Sequence, residues 1–402
     1  MQKILLLIAS LFYFNFILAE NEIKSWQGIH ETPLSRLEQQ FAEPPVEFAN
    51  HVIWGWEGKM DKKTICNDLD SIKKKGFRAV IFEAGYKLPF KYLSEEWFKA
   101  IRTGVLEAKK RGMKVWIIDE GKYPSGFAGG KFSQERPDLR MQALVIGDTI
   151  QIKRGEVMTN HKIAPEIISA VAVSTSGAPN RTVAINNGEI SFNAGLDDWK
   201  ILLVKSDFRT AVTRAVNNPN GGKDATNSLC DYLNPVAVQQ FIDWTHEQYK
   251  KYLGKELGTT VLGFRGDEPD YAHLPWTPSI VQTFKDTKGY DPTPYLASFF
   301  TASPTIQEQR VKADYWDVWS SLFATHFFKL QADWCVANGV AHITHLNKEH
   351  EMPACVKAEG DYFRNLSKVQ IPGVDAIWNQ IWPSTLNDFP KLASSVAHVY
   401  GK

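Results

Sequence analysis

Three short apolar runs separated by helical patterns constrain this chain more than any other feature. They are HVIWGW (His51 to Trp56), FRAVIFEAG (Phe77 to Gly85) and MKVWIIDEG (Met113 to Gly121). Helical patterns separate them: one runs from about Lys62 to Lys75 and stops at Gly76, and the other runs from Ser94 to Arg111 with Ser94 and Glu96 as start signals. Strands that are apolar without alternation are buried on both faces, and parallel pairing with helical crossovers buries them that way. The fold class read from this repeat is α/β.

The repeat breaks from about 141 to 216, where ALVIGDTIQI, ISAVAVST, RTVAINNGEISF and WKILLVKS read as short antiparallel strands joined by NNG-like turns. This stretch reads as an inserted β-rich subdomain after the third strand. Alternation resumes with a helix capped by Asn234, begun by Pro235 and running to about Leu253. VLGFRG then forms a fourth strand, two helical stretches (about Pro278 to Phe300 and Thr305 to Asn338) follow, and VAHITHL (Val340 to Leu346) is a fifth strand. A sixth, VDAIWNQ (Val374 to Gln380), is expected after the Pro372-Gly373 turn. Strands in this order, each ending in polar residues, favour a TIM (β/α)8-type barrel over 51–402, and no G-x-G-x-x-G after the first strand supports a doubly wound nucleotide-binding sheet. Six strands of the eight are legible, so the sequence is expected to end inside the domain; strands overlooked in the insert are the alternative.

The first 19 residues, with Lys3, an apolar centre and Ala19, read as a cleavable signal peptide, followed by a leader over 20–50; an uncleaved anchor is the alternative. The expected location is secreted or periplasmic, and no later segment is long and apolar enough for a membrane span. A net charge of +1, with KKK at Lys73 to Lys75 and KKR at Lys109 to Arg111 on helix-like segments, leaves no basic stripe for nucleic acid. Cys66, Cys230, Cys335 and Cys355 lie far apart without a C-x-x-C pair, so their spacing suggests neither zinc nor redox chemistry, and disulfides stay open.

The strand ends carry acids: Glu83, then Asp119 and Glu120, then Asp267 and Glu268, then His345 with Glu349 and Glu351, then Asp375 with Asn379. In a barrel these ends share one rim. Carboxyl groups gathered there suit glycoside hydrolysis, in which one protonates the leaving oxygen and another activates water or attacks the sugar. Glu268 is the candidate general acid, because an ionised Asp267 beside it raises its pKa and Pro269 is expected to hold it extended. The same oxygens could hold calcium. His342 and His345, three apart on a strand, should face opposite ways and lack a third ligand at zinc spacing. Glycine-rich EGKYPSGFAGG (Glu120 to Gly130) lacks the phosphate-loop lysine, and its small residues let backbone approach a ligand or loop. Trp54, Trp56, Trp378 and Trp382 could line sugar subsites or pack the barrel.

Taken in order, DEGKYPSGFAGG, DYLNPVAVQQF, FRGDEPDY, HLNKEHE, EGDYFR and IPGVDAIWNQIWP resemble the barrel of the α-L-rhamnosidases of glycoside hydrolase family 106, from about residue 50 onward. The resemblance implies inverting, calcium-assisted removal of terminal α-L-rhamnose from plant polysaccharides or glycosides, a carbohydrate partner, and Glu268 as general acid. It makes Glu349 and Glu359 candidates for the base, for sugar contact or for calcium. The candidate sugar contacts are Glu120, Asp267, His345, Asn347, Asp361, Asp375, Trp378 and Asn379. The family pattern also carries a glutamate-bearing strand after LASSVAHVYGK, so a base beyond residue 402 is a further expectation. A retaining galactosidase-like or uronidase-like enzyme, or a non-catalytic sugar-binding relic, stands as the alternative.

Overall fold

The computed structural model describes residues 33–44, 50–121, 123–211, 213–214, 223–224, 226–271, 274–377 and 388–402. The expected signal segment, part of the leader, and Trp378, Asn379 and Trp382 lie outside the described residues. Among the described residues no helix is long and apolar enough to cross a membrane.

Side-chain alternation within each strand decides the layers. In the strand Ala79–Ala84, Val80, Phe82 and Ala84 pack with Trp56 and with Ile101 and Val105 of the helix Glu95–Lys110. Ile81 points the other way and joins Trp116, Ile118, Leu262 and Ala341 in a small second cluster. Both faces are therefore apolar, which is why the runs read as continuous. The strands β1 (His51–Trp56), β2 (Ala79–Ala84), β3 (Lys114–Ile118), β4 (Val261–Arg265), β5 (Ala341–Thr344) and β6 (Ile371–Pro372) form one sheet in chain order. Each neighbouring pair is parallel. The order never reverses, unlike that of a doubly wound sheet. The fold is mixed α/β around a parallel sheet; among the described residues β1 and β6 are its two edges, with no pairing between them.

The helix starts follow the capping chemistry. Ser94 Oγ accepts from the Trp97 amide at 3.3 Å, and Asn234 Oδ1 accepts from the Val236 amide at 3.0 Å with Pro235 in the first turn. The helix expected to run on to Leu253 is two helices, Pro235–Trp244 and His246–Leu253, broken where Thr245 adopts φ −113° and ψ −84°. The sixth strand is also displaced. It is Ile371–Pro372, before the turn rather than after it. The Gly373 amide donates to Thr344 O at 2.8 Å, and a Cβ on Gly373 would lie 2.7 Å from that oxygen, so the chain leaves the sheet here and residues 374–377 are not strand.

Between β3 and β4 the chain builds antiparallel structure. A five-stranded sheet contains Gln142–Ile152, Ile167–Ser174, Arg181–Thr182 and Trp199–Phe208, and its fifth strand, Pro275–Trp276, comes from beyond β4 and pairs with Gln142 and Ala143. A three-stranded sheet of Val157–Lys162, Ile185–Asn186 and Glu189–Asn193 turns at Asn187 and Gly188, whose φ values of 52° and 76° suit the short hairpin predicted from NNG. Tyr271 donates to Gln142 O at 3.3 Å, so this sheet is tied to the loop that follows β4.

Gly263, in the middle of β4, has no room for a side chain: a Cβ there would stand 2.0 Å from Ala341 O and 2.7 Å from the Trp116 ring. Gly263→Ala is expected to force β4 and β5 apart, at a cost of about 1–3 kcal/mol or more. A denaturant titration of both proteins measures it, and an unchanged midpoint would show that the two strands do not approach this closely.

Candidate functional site

β4 ends in Arg265, and the turn Gly266 to Asp270 carries three carboxyl groups past it. A hydroxyl relay fixes the turn. The Asp267 amide donates to Ser125 Oγ at 2.7 Å, and Ser125 Oγ donates to Asp119 Oδ1 at 2.7 Å, so the loops after β3 and β4 are joined. Asp119 is fully buried, and burial raises its carboxyl to about 7. Glu120 turns into the glycine-rich loop: its carboxyl group accepts from the amides of Gly121 at 2.6 Å, Gly129 at 3.0 Å and Ala128. It is fully buried, so its place is in holding this loop, not on the open rim where the sequence reading set it. Gly126, at φ 92°, lies where a Cβ would meet the Tyr232 ring at 2.5 Å, the close backbone approach that the small residues of this loop permit.

His345, one residue past β5, is the hub of the rim. Its Nδ1 accepts from the Arg265 guanidinium at 3.4 Å, which leaves the imidazole proton on Nε2. Nε2 faces Asp267 at 3.5 Å, Glu268 at 3.8 Å and Asp375 at 3.9 Å. Burial first, and then Arg265, hold His345 well below its ordinary pKa, so it is neutral. Arg265 also lies 3.6 Å from Asp267. Four expected residues, Asp267, Glu268, His345 and Asp375, thus meet in one group.

Glu268 is pushed up to about 8, by burial first and then by Asp267, Asp375, Glu349 and Asp270. The like-charge effect read from the sequence is present, but second to desolvation. The expectation that Pro269 holds Glu268 extended is overturned: Glu268 has φ 36°, in the left-handed region that residues with a side chain rarely occupy. A backbone held in so sparse a region is set by its surroundings, here the Asp267 amide fixed by Ser125 and the Gly266 amide fixed on Ile343 O at 2.8 Å.

Glu349 and Glu359 lie behind this group. Glu349 accepts from the amides of Leu346 at 3.4 Å and of Asp375, linking the segments that follow β5 and β6, and burial raises it to about 7. Glu359 is fully buried and pushed well up by that burial; its Oε1 accepts from the Asn347 amide at 3.1 Å while Oε2 has no partner. Asn347 Nδ2 donates to Tyr123 Oη at 3.1 Å, and Tyr123 Oη donates to Asp270 Oδ2 at 3.2 Å. Asp361 caps the helix Tyr362–Leu366 through the Arg364 amide at 2.8 Å, Glu83 stands over Gly55 of β1, and Trp56 is core within a ring cluster with Trp54, Phe82 and Trp97. Arg265, Tyr123 and Asp270 were not singled out from sequence; the third acid of D-E-P-D was the available signal for Asp270.

For a metal, the atoms that come together are those of Glu268, His345 and Asp375, all within 4.8 Å of one another. Calcium prefers six to eight oxygens. The His345 nitrogen in this set carries the proton, so it donates rather than ligates. Among the described residues Glu349 and Glu359 join no such three-ligand set, so calcium rests on the family resemblance alone. A cleft of about 740 Å³ opens beside the rim, lined by Asp270, Tyr271, Lys348, Ala358 and the rings of Phe299 and Trp316.

Comparison with known proteins gives the geometry its context. A protein from Formosa agariphila carrying the name "Putative beta-glucuronidase" is 23% identical over 423 residues, covering 92% of this chain and 34% of its own length. The solved structure of a rhamnosidase from Novosphingobium sp. PP1Y superposes with a TM-score of 0.66 at 15% identity, over 92% of this chain and 52% of that one. The chain thus spans about a third and about half of these two proteins, and the second likeness establishes shared fold. The family model for alpha-L-rhamnosidase matches residues 158–402, more than half of the sequence. By that match the chain belongs to the glycoside hydrolase 106 family of alpha-L-rhamnosidases.

Proposed function

We propose that this protein is an exported glycoside hydrolase that removes terminal α-L-rhamnose from a plant-type glycan or glycoside, with Glu268 as general acid and inversion at the anomeric carbon. The observation that carries the reading is a half-buried carboxyl group, held protonated to about pH 8, at the centre of the acid group at one end of the parallel sheet. An alkoxide leaves poorly, and a carboxylic acid still protonated at neutral pH can give it a proton as the bond breaks. His345 Nε2–H faces the three carboxyl groups and would stabilise the charge left on Glu268 after transfer. Closure of the sheet into a (β/α)8-type barrel belongs to the same proposal and rests on the unreversed strand order.

Inversion needs a second carboxylate about 6.5–9.5 Å from the acid, with water between them. Asp375 has an oxygen within 4.8 Å of Glu268, too near for that part, and suits a sugar hydroxyl instead. Glu349, raised to about 7, is the candidate base among the described residues, because a base must be ionised where the acid is not. Glu359, pushed well above the carboxylate range by burial, fits a positioning role through Asn347. A uronidase reading draws on the name of the Formosa agariphila protein. It needs a cation for the sugar carboxylate; the guanidinium at this rim is engaged by Asp267 and His345, which leaves Lys348 of the adjoining cleft for that part.

Incubation with aryl glycosides is expected to release rhamnose and not glucuronic acid, with NMR showing the inverted anomer first; glucuronic acid as the product would replace this reading with the uronidase one. Glu268→Gln is expected to lower kcat by about 10²–10⁴-fold on a substrate with a poor leaving group, and much less on an activated one. Because the raised pKa keeps the catalytic proton on Glu268 below about pH 8, activity should fall as pH rises through that value. A flat profile through pH 9 would remove Glu268 from the acid role.

A further inference from the structure

At β5, three buried side chains from three elements converge. His246 opens the helix His246–Leu253, Cys335 lies on the helix Lys329–Ala337, and His342 is in β5. One ligand atom from each lies within 4.8 Å of the other two, and all three residues are at most 1% exposed. We propose that this group is a structural site for a zinc-class divalent ion, held by the Cys335 thiolate and the two imidazoles.

The hydrogen bonds around His246 settle which nitrogen is available. Thr245 Oγ1 donates its single proton to Phe241 O at 2.7 Å, so toward His246 Nδ1, 2.9 Å away, it can only accept. Nδ1 therefore carries the imidazole proton and Nε2 carries the lone pair. A partner that fixes the tautomer in this way is the usual outer support of a metal-bound histidine. His246 Nε2 is buried without a hydrogen-bond partner, and so is His342 Nδ1. Two orphaned imidazole nitrogens beside a thiol would each cost the desolvation of a polar group, which a shared cation removes.

The chemistry of the set selects the ion. One sulfur and two nitrogens suit zinc and exclude calcium and magnesium, which take oxygen. In a tetrahedral zinc site, neighbouring ligand atoms stand about 3.3–3.6 Å apart, so these side chains need only small rotations to close on an ion. The surroundings are apolar. Phe264 lies 4.2 Å from the His246 ring and Trp334 5.1 Å from it, centroid to centroid. Zinc takes four ligands, so a water would complete the three, and the burial of all three residues suits an ion that fastens the two helices to β5 rather than one that meets a substrate. Binding forms the Cys335 thiolate–metal bond and releases the thiol proton to solvent.

Metal analysis of the full chain, expressed with zinc and dialysed against a chelator, is expected to find about one zinc per chain. Cys335→Ser should lose it, while Cys355→Ser, which alters a buried cysteine outside the group, should keep it. Unaltered protein produced with cobalt should show a thiolate-to-cobalt charge-transfer band in the near ultraviolet, a readout that does not depend on the variants folding. Protein holding no zinc above the Cys335→Ser background and showing no such band with cobalt would overturn the site. Neither measurement uses glycosidase activity, so the outcome is separate from that of the proposed reaction.

Discussion

Withdrawal of carboxyl groups from water governs this molecule's rim. An ionised carboxylate moved into a protein interior costs several kcal/mol unless something answers its charge. Four answers appear within a few residues. Glu120 receives three backbone amides and Asp119 a hydroxyl, yet burial still raises them to about 8 and about 7; Asp267 lies beside a guanidinium, and Glu268 keeps its proton to about 8. The last is the least stabilising and the most useful. What sets Glu268 apart from Asp119 and Glu120 is access rather than proton affinity: those two are fully buried, while the Glu268 side chain is 21% exposed at the rim.

The loops carry as much of this as the sheet does. β4 supplies Arg265 and β5 leads into His345, but the level of Glu268 depends on the turn between Gly266 and Asp270, where the backbone is in the left-handed region. That turn is pinned from three sides: by Ser125 from the loop after β3, by Ile343 of β5 through the Gly266 amide, and by the Tyr271 amide on Ala358 O at 3.3 Å. Ser125 is placed in turn by Asp119. A buried acid with no direct approach to the rim thus positions the acid that has one.

Periodicity made the parallel strands legible, since runs such as AVIFEA and KVWII are buried on both faces and admit few other readings. It failed where close backbone approach, rather than side-chain pattern, decides the path. VDAIWNQ has strand-like composition, yet Gly373 is drawn onto Thr344 O and residues 374–377 are not strand. The acids were legible as a group because strand ends converge in such a sheet. Their division of labour was not, because it follows from desolvation and from Arg265, and neither shows in local sequence. Pro269 is the clearest case. A proline favours extended backbone before it by a modest local preference, and tertiary bonds on both sides of Glu268 override it.

β5 joins the two polar features of the molecule. His342 lies within β5 and meets the helices, while His345, one residue past the strand, stands at the rim. Their surroundings then give neighbouring imidazoles opposite chemistry. At the rim the guanidinium donates to His345 Nδ1, so the nitrogen facing the carboxyl groups carries a proton, and the site is built to stabilise negative charge. Among the helices a threonine hydroxyl accepts from His246 Nδ1, so Nε2, buried without a hydrogen-bond partner, carries a lone pair, and the site is built to receive positive charge. Spacing rules could not find the second group, because its members stand at 246, 335 and 342 and are brought together by the break at Thr245, which starts a new helix at His246. One hydrogen bond to the far side of each ring, donated in one case and accepted in the other, is what distinguishes a centre suited to protons from one suited to a metal.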